Sequence, residues 1–164
     1  MNFSQTYTNF ITSLSKLKDL PLLFMRLILA YGFFNPAKMK WQDINSIADW
    51  FKEMGIPAPI FSAYLSAGTE ALGVVLLVLG LSTRFITIPL IILLLVAIKT
   101  VHWTNGFEAG ENGYEIPVYY TIMLLTLFIY GAGKISLDYL LIQKMKRRTI
   151  KKITSQTHSS AVAI

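Results

Sequence analysis

Two ionisable residues interrupt long apolar runs of this chain: Arg26, within residues 20–35, and Glu70, within residues 61–81. A charged side chain near the centre of a bilayer costs roughly 2.5–3.5 kcal/mol even on the mildest insertion scale. Such residues therefore pair, face a protein interior or serve a pathway. Arg26 stands nine residues before Asn35, and Glu70 stands nine after Phe61. At 1.5 Å per residue, each lies about 13 Å below the same surface. The spacing predicts an Arg26–Glu70 pair between two neighbouring helices. Ala63, Ser66, Ala67, Glu70 and Gly73 share one helix face, while Leu65, Leu72, Val75 and Leu76 occupy the other. Small residues permit close packing in lipid, so Glu70 is expected to face the bundle interior.

Nearer that surface, Lys99 and His102 lie three apart, on one face of a helix. Glu115, just before Pro117, opens another helix, whose dipole favours a carboxylate at its start. Tyr114, Tyr119 and Tyr120 are close by, and Tyr31 and Tyr64 lie at comparable depth. The sum is an outward-opening polar pocket, with Arg26 and Glu70 at its floor and Lys99, His102 and Glu115 at its rim, beside Tyr114 and Tyr119. Such a pocket suits a small ligand such as a quinone, or a proton relay in which His102 titrates in the useful range. The competing reading is architectural: a buried pair that fixes helix register, below ordinary interfacial polar groups. The chain has no Walker loop, HExxH, GxSxG or GxGxxG, hence no self-contained catalytic motif. Glu108, Glu111 and Glu115 match no standard metal spacing and read as a solvated loop, so no metal site is assigned. The only other histidine is His158, which leaves no axial pair for haem on facing spans.

The elements that must position these residues follow from hydropathy. Of the 164 residues, 54% are hydrophobic and 15% charged, well below the quarter usual in soluble domains. Cysteine is absent, which excludes disulfides, thiolate metal sites and dithiol exchange. Four stretches approach the roughly 20 apolar residues that a crossing helix needs: 20–35, 61–81, 85–103 and 116–131. No cleavable leader is evident, and the first span reads as an uncleaved anchor. Ser82, Thr83 and Arg84 alone join the second and third spans, which predicts a tight hairpin. Lys16, Lys18, Arg84, Lys134 and the run 144–152 lie on one side, against Lys38, Lys40 and Lys52 on the other. By the positive-inside rule both termini are cytoplasmic, in a bacterial-type inner membrane.

Outside the spans, Phe3, Tyr7, Phe10, Ile11, Leu14 and Leu17 recur at helical spacing and predict an N-terminal amphipathic helix lying on the membrane. Asp43 is a candidate N-cap for a second such helix, with Ile44, Ile47, Phe51 and Met54 on one face and Gly55 as its stop. Gly131, Ala132 and Gly133 break the fourth span, and Ser136 can cap a short surface helix through Leu141. Residues 144–152 then hold six basic side chains, each worth about 1 kcal/mol beside an anionic leaflet. Nucleic acid is set aside as partner, because the run lacks interleaved aromatics and follows a span directly. The last dozen residues are expected to be disordered.

The order and spacing of several strings resemble the DoxX family of small four-span membrane proteins over residues 22–141. The strings are Met54-Gly-Ile-Pro-Ala-Pro59, Glu70-Ala-Leu-Gly73 leading to Leu79-Gly-Leu-Ser-Thr-Arg84, Val96-Ala-Ile-Lys-Thr-Val-His102, Asn105-Gly-Phe107, Gly113-Tyr-Glu-Ile-Pro117 and Gly131-Ala-Gly-Lys-Ile-Ser-Leu-Asp138. Trp103 and the string Tyr31-Gly-Phe-Phe-Asn-Pro-Ala37 are most similar to the HvfX-type branch, which is associated with operons for modified, metal-handling peptides. The family often has Gly-Pro-Gly where this chain has Gly131-Ala132-Gly133. Its first span commonly ends in a Gly followed by a Lys, and either Lys38 or Lys40 can correspond. The resemblance implies an integral subunit of a redox or maturation system, linked in some relatives to quinones. Carried over by position, its polar residues are Arg26, Glu70, His102 and Glu115.

The expected fold is an all-α integral membrane protein: a four-transmembrane-helix bundle with N-terminal and outer-loop interfacial amphipathic helices. Residues 1–19 are expected to form a cytoplasmic amphipathic segment, 20–141 the four-span membrane domain and 142–164 a basic, disordered cytoplasmic tail. The partners expected are membrane lipid, proteins encoded nearby and a second copy of the chain. The functions that compete are a quinone-binding subunit, a non-catalytic scaffold and, least favoured, a small-solute transporter, for which no inverted repeat is visible.

Overall fold

The computed structural model describes residues 5, 7, 8, 11, 12 and 17–162. Most of the expected N-terminal amphipathic helix lies outside the described residues. The first long helix, α1, runs Asp19–Gln42 and α2 runs Ile44–Glu53. Two further helices, α3 (Pro59–Leu79) and α4 (Thr83–Ala97), form the hairpin. A π-helical turn, Ile98–His102, and a 3-10 turn, Trp103–Asn105, extend α4. After a short 3-10 turn, Ala109–Glu111, come α5 (Glu115–Tyr130) and α6 (Leu137–Val162). No strand occurs among the described residues.

Three helical stretches, Asp19–Gln42, Pro59–Leu79 and Thr83–Asn105, are long and apolar enough to cross a membrane. The apolar helix α5 has 16 residues, about 24 Å, and is shorter than the others. The helices form a ring in the order α1, α3, α4, α5, closed by α5 against α1. Leu29, Phe33, Leu77, Ile86, Leu90, Leu94, Leu124 and Leu127 fill its centre. As the small-residue stripe predicts, Ala63, Ser66, Ala67, Glu70 and Gly73 are all buried, while Leu65, Leu72 and Val75 are exposed. That stripe lets α1 and α3 make the most extensive helix contact in the molecule.

Two helix boundaries depart from those expected. First, α1 does not stop at Asn35 but continues through Pro36 to Gln42. Proline removes one backbone donor, yet neighbouring helices allow an apolar helix to carry it. Second, α6 does not stop at Leu141 but continues to Val162, because Gln, Lys, Met and Arg in the following turns are good helix formers. The start of α6 is as expected: Tyr139 N donates to Ser136 Oγ over 3.2 Å. The α2 cap also forms, with Ser46 N donating to Asp43 Oδ1 over 3.0 Å. Ile44, Ile47, Phe51 and Met54 of that segment are half-buried and Ala48 is buried, on the side where α2 lies against α3.

The α3–α4 turn is a steric constraint. Gly80 has φ +63°, and a Cβ there would collide with Arg26 Nη1. Gly68, inside α3, has nothing within 4 Å of a would-be Cβ. Gly80→Ala is therefore expected to lower stability by about 1–3 kcal/mol, and Gly68→Ala to be neutral. Thermal unfolding of the two variants in detergent checks both.

Candidate functional site

Glu70 does not meet Arg26. Its two carboxylate oxygens accept from Lys40 Nζ at 2.6 and 2.7 Å. The Lys40 and Glu70 side chains are 12% and 9% exposed, so this is a buried ion pair. The geometry follows from helix direction. Side chains tilt toward the N-terminus of their own helix. In the antiparallel α1 and α3, the Lys40 stem leans back into the bundle and the Glu70 stem leans forward to meet it. Lys40 also shares a stripe with Arg26, Leu29, Ala30, Phe33 and Ala37, all buried on α1.

The depth-matched pairing fails because α1 extends beyond Asn35. Arg26 lies about 24 Å from the Gln42 end of α1, whereas Glu70 lies about 16 Å from the Pro59 end of α3. Lys40, in the stretch expected to be loop, takes the place assigned to Arg26. Sequence reasoning missed it although a signal was present: the apolar stripe runs on at three- and four-residue intervals through Pro36 to Lys40.

Arg26 belongs to the hairpin end, about 21 Å along α1 from Lys40. It is 1% exposed, and its Nη2 donates to the Ile135 carbonyl. Asp138 supplies the nearby opposite charge. The carboxylate of Asp138 accepts from Ser82 N at 2.7 Å and Thr83 N at 3.0 Å, capping α4, while Asp138 N donates to Gly80 O at 3.0 Å. Lys134 N donates to Asp19 Oδ1 at 2.9 Å, and Arg84 Nη2 to Ile129 O at 3.0 Å. Residues 129–138 thus tie α1, the α3–α4 turn and α4 to the end of α5.

The other expected pocket residues lie at the opposite end of α4 and α5. Lys99 is exposed and His102 half-buried, on a π turn that does not keep the α-helical three-residue alignment. His102 Nδ1 lies 2.7 Å from Asn112 O. A carbonyl only accepts, so Nδ1 is the donor and Nε2 is the ring nitrogen left outside this bond. Asn105 Nδ2 donates to the same carbonyl at 3.2 Å. Glu115 accepts from Ala109 N at 3.0 Å and from the Tyr119 hydroxyl at 2.9 Å. Tyr114 stacks on Trp103 at 5.6 Å and meets Phe107 edge-on at 5.5 Å. The structure therefore brings Glu115 and Tyr119 together and fixes His102, but separates Arg26 from every other member of the predicted set. No cluster of His, Cys, Asp and Glu suited to a metal occurs among the described residues.

The order of polar centres along the bundle can be set beside known proteins. The DoxX family matches residues 21–103, a stretch that contains Arg26, Lys40, Glu70 and His102. The chain belongs to the DoxX family. A Haemophilus influenzae relative named only "Uncharacterized protein" is 37% identical over 129 residues, 73% of this chain and 82% of that protein. A Bacillus subtilis relative with the name "Putative oxidoreductase CatD" is 32% identical over 125 residues, 76% of this chain and 90% of that protein. No solved structure matches. Family membership and the three crossing-length helices make this a multi-pass membrane protein.

Removing one partner of a buried pair leaves the other charge uncompensated, at a cost of about 3–5 kcal/mol, whereas removing both is often close to neutral. Lys40→Met and Glu70→Gln are each expected to lower the unfolding midpoint markedly, and the double variant to recover most of the loss. Unfolding of the four members of this cycle in one detergent measures the coupling.

Proposed function

We propose that this DoxX protein is a four-span inner-membrane subunit or accessory protein of a redox system, and that a quinone-like head group engages the Lys40–Glu70 centre. The observation that carries the reading is a hydrogen-bonded lysine–glutamate pair buried inside an apolar bundle. An ammonium is the donor that a quinone carbonyl accepts from, and a carboxylate is the acceptor that a quinol hydroxyl needs. Intramembrane ionisable residues are functional candidates by default. The name of the Bacillus subtilis relative supports the redox association. His102, together with Lys99, Tyr114, Glu115 and Tyr119, forms the rim in this reading. Arg26 has no part in ligand binding and serves to close the hairpin end. The similarity of Trp103 and residues 31–37 to the HvfX-type branch makes peptide maturation the alternative host system.

A scaffold role is the second reading. It is favoured by the mutual neutralisation of Lys40 and Glu70, since a pair whose charges cancel can fix helix register without binding a ligand. The double variant separates the two readings because its helices stay packed. A quinone at 100 times its dissociation constant should stabilise the wild type by about 2.7 kcal/mol. Decylubiquinone and menadione are expected to raise the unfolding midpoint of the wild type and to leave Lys40→Met/Glu70→Gln unmoved. If neither stabilises the wild type, the ligand reading falls and the scaffold stands.

The fourth crossing is α5, and both termini lie in the cytoplasm in this topology. The natural chain has no cysteine, so single substitutions report cleanly. Glu111→Cys is expected to react with an impermeant maleimide in intact cells, and Thr149→Cys only after lysis. Labelling of both from the same side would show that α5 does not cross.

A further inference from the structure

Helix α6 leaves the closed hairpin end with one face divided along its axis. Leu137, Leu140 and Leu141 share that face in the first turn and a half and are 38, 61 and 49% exposed. Lys144, Arg147 and Arg148 continue the same face in the next turns, all exposed. The start of the helix is fixed by Ser136 and by the bonds of Asp138 to Gly80, Ser82 and Thr83. The apolar half therefore begins level with the end of α3.

We infer that this face binds anionic phospholipid of the adjacent leaflet, with acyl chain along Leu137, Leu140 and Leu141 and phosphate at Lys144, Arg147 and Arg148. Three observations choose lipid over a soluble acidic partner. The order along the axis, apolar then cationic, repeats the order of hydrocarbon and head group at a membrane boundary. The length scale fits: α3, with 21 residues, is about 31 Å long, close to the roughly 30 Å hydrocarbon core. The cations start about 10 Å beyond Leu137, and helical side chains lean back toward the helix start. In the proposed arrangement that brings them into the head-group layer. A soluble phosphate or acidic peptide would leave the exposed leucines without a purpose.

The test uses the full chain in nanodiscs of phosphatidylcholine alone or with phosphatidylglycerol. Met145→Cys, carrying an environment-sensitive fluorophore, reports on α6, and spin-labelled lipids report on association. A preference for phosphatidylglycerol is expected, falling about fivefold for each basic residue replaced. It should reach parity with phosphatidylcholine in Lys144→Gln/Arg147→Gln/Arg148→Gln and weaken strongly in 1 M salt. The fluorophore should shift to the blue only with the anionic lipid, and Leu140→Asn/Leu141→Asn should lose that shift with all cations intact. Three results would overturn the proposal: equal association of both lipids with the wild type, an unchanged preference in the triple glutamine variant, or an equal fluorescence response to inorganic phosphate in phosphatidylcholine discs.

Discussion

A carboxylate in the middle of an apolar helix must find its counter-charge within the protein, and in this chain that demand fixes the relation between the first two long helices. Glu70 sits about 15 Å from the α3–α4 turn. No cation on α3 or α4 accompanies it at that depth, so it must come from α1. Lys40 can reach it only if α1 stays helical through Pro36, and only if the helices approach closely. Ala37 on α1 and Ala63, Ser66 and Ala67 on α3 supply that approach. The helix length, the small-residue stripe and the tolerated proline are thus three consequences of one neutralisation.

The same demand is met only in part for Arg26, whose Nε and Nη1 are buried without a hydrogen-bond partner. Its neighbours are a backbone carbonyl and the charge of Asp138, both on the segment that follows α5. Asp138 itself accepts from the first backbone amides of α4, so its carboxylate is a helix cap that also brings a negative charge to the Arg26 end of the bundle, without an ion pair between the two. Gly80 is what makes this compatible with the turn, since the guanidinium occupies the space of a side chain there. The end is consequently closed by groups from α1, the turn and the 131–138 segment, and none can leave without releasing the others.

Much of this was legible in the residues. The buried face of α3 follows from its small-residue spacing, and Asp43 and Ser136 announce their caps by side-chain chemistry. These features are local: periodicity and capping involve neighbours within one turn or two. The partner of Glu70 was not legible by the same means, because counting depth requires knowing where a helix ends. Asn35-Pro36 has the form of a stop, and only the packing of α1 against α3 overrides it. The role of Asp138 was hidden for a related reason. Its partners are more than fifty residues away in sequence, and nothing local distinguishes it from an ordinary first-turn acid. The end of α6 was misplaced in the other direction, with good helix formers discounted because their charge was read as a sign of a tail.

The bonding pattern also ranks the polar centres by what each could do for a ligand. At the hairpin end, Arg26 and Asp138 hold backbone groups, so displacing them would undo a helix cap and a chain crossing. At the loop end, His102 and Glu115 likewise bind backbone groups of residues 109–112, which keeps the ring and the carboxylate in place. The Lys40–Glu70 bond differs in kind, because it joins two side chains and no backbone depends on it. Lys40 hangs on a flexible four-carbon stem near the end of α1 and can turn toward another acceptor without unwinding the helix. Of the three, it is the centre that holds no backbone group in place, which is why the proposed ligand is placed there and not at Arg26 or His102.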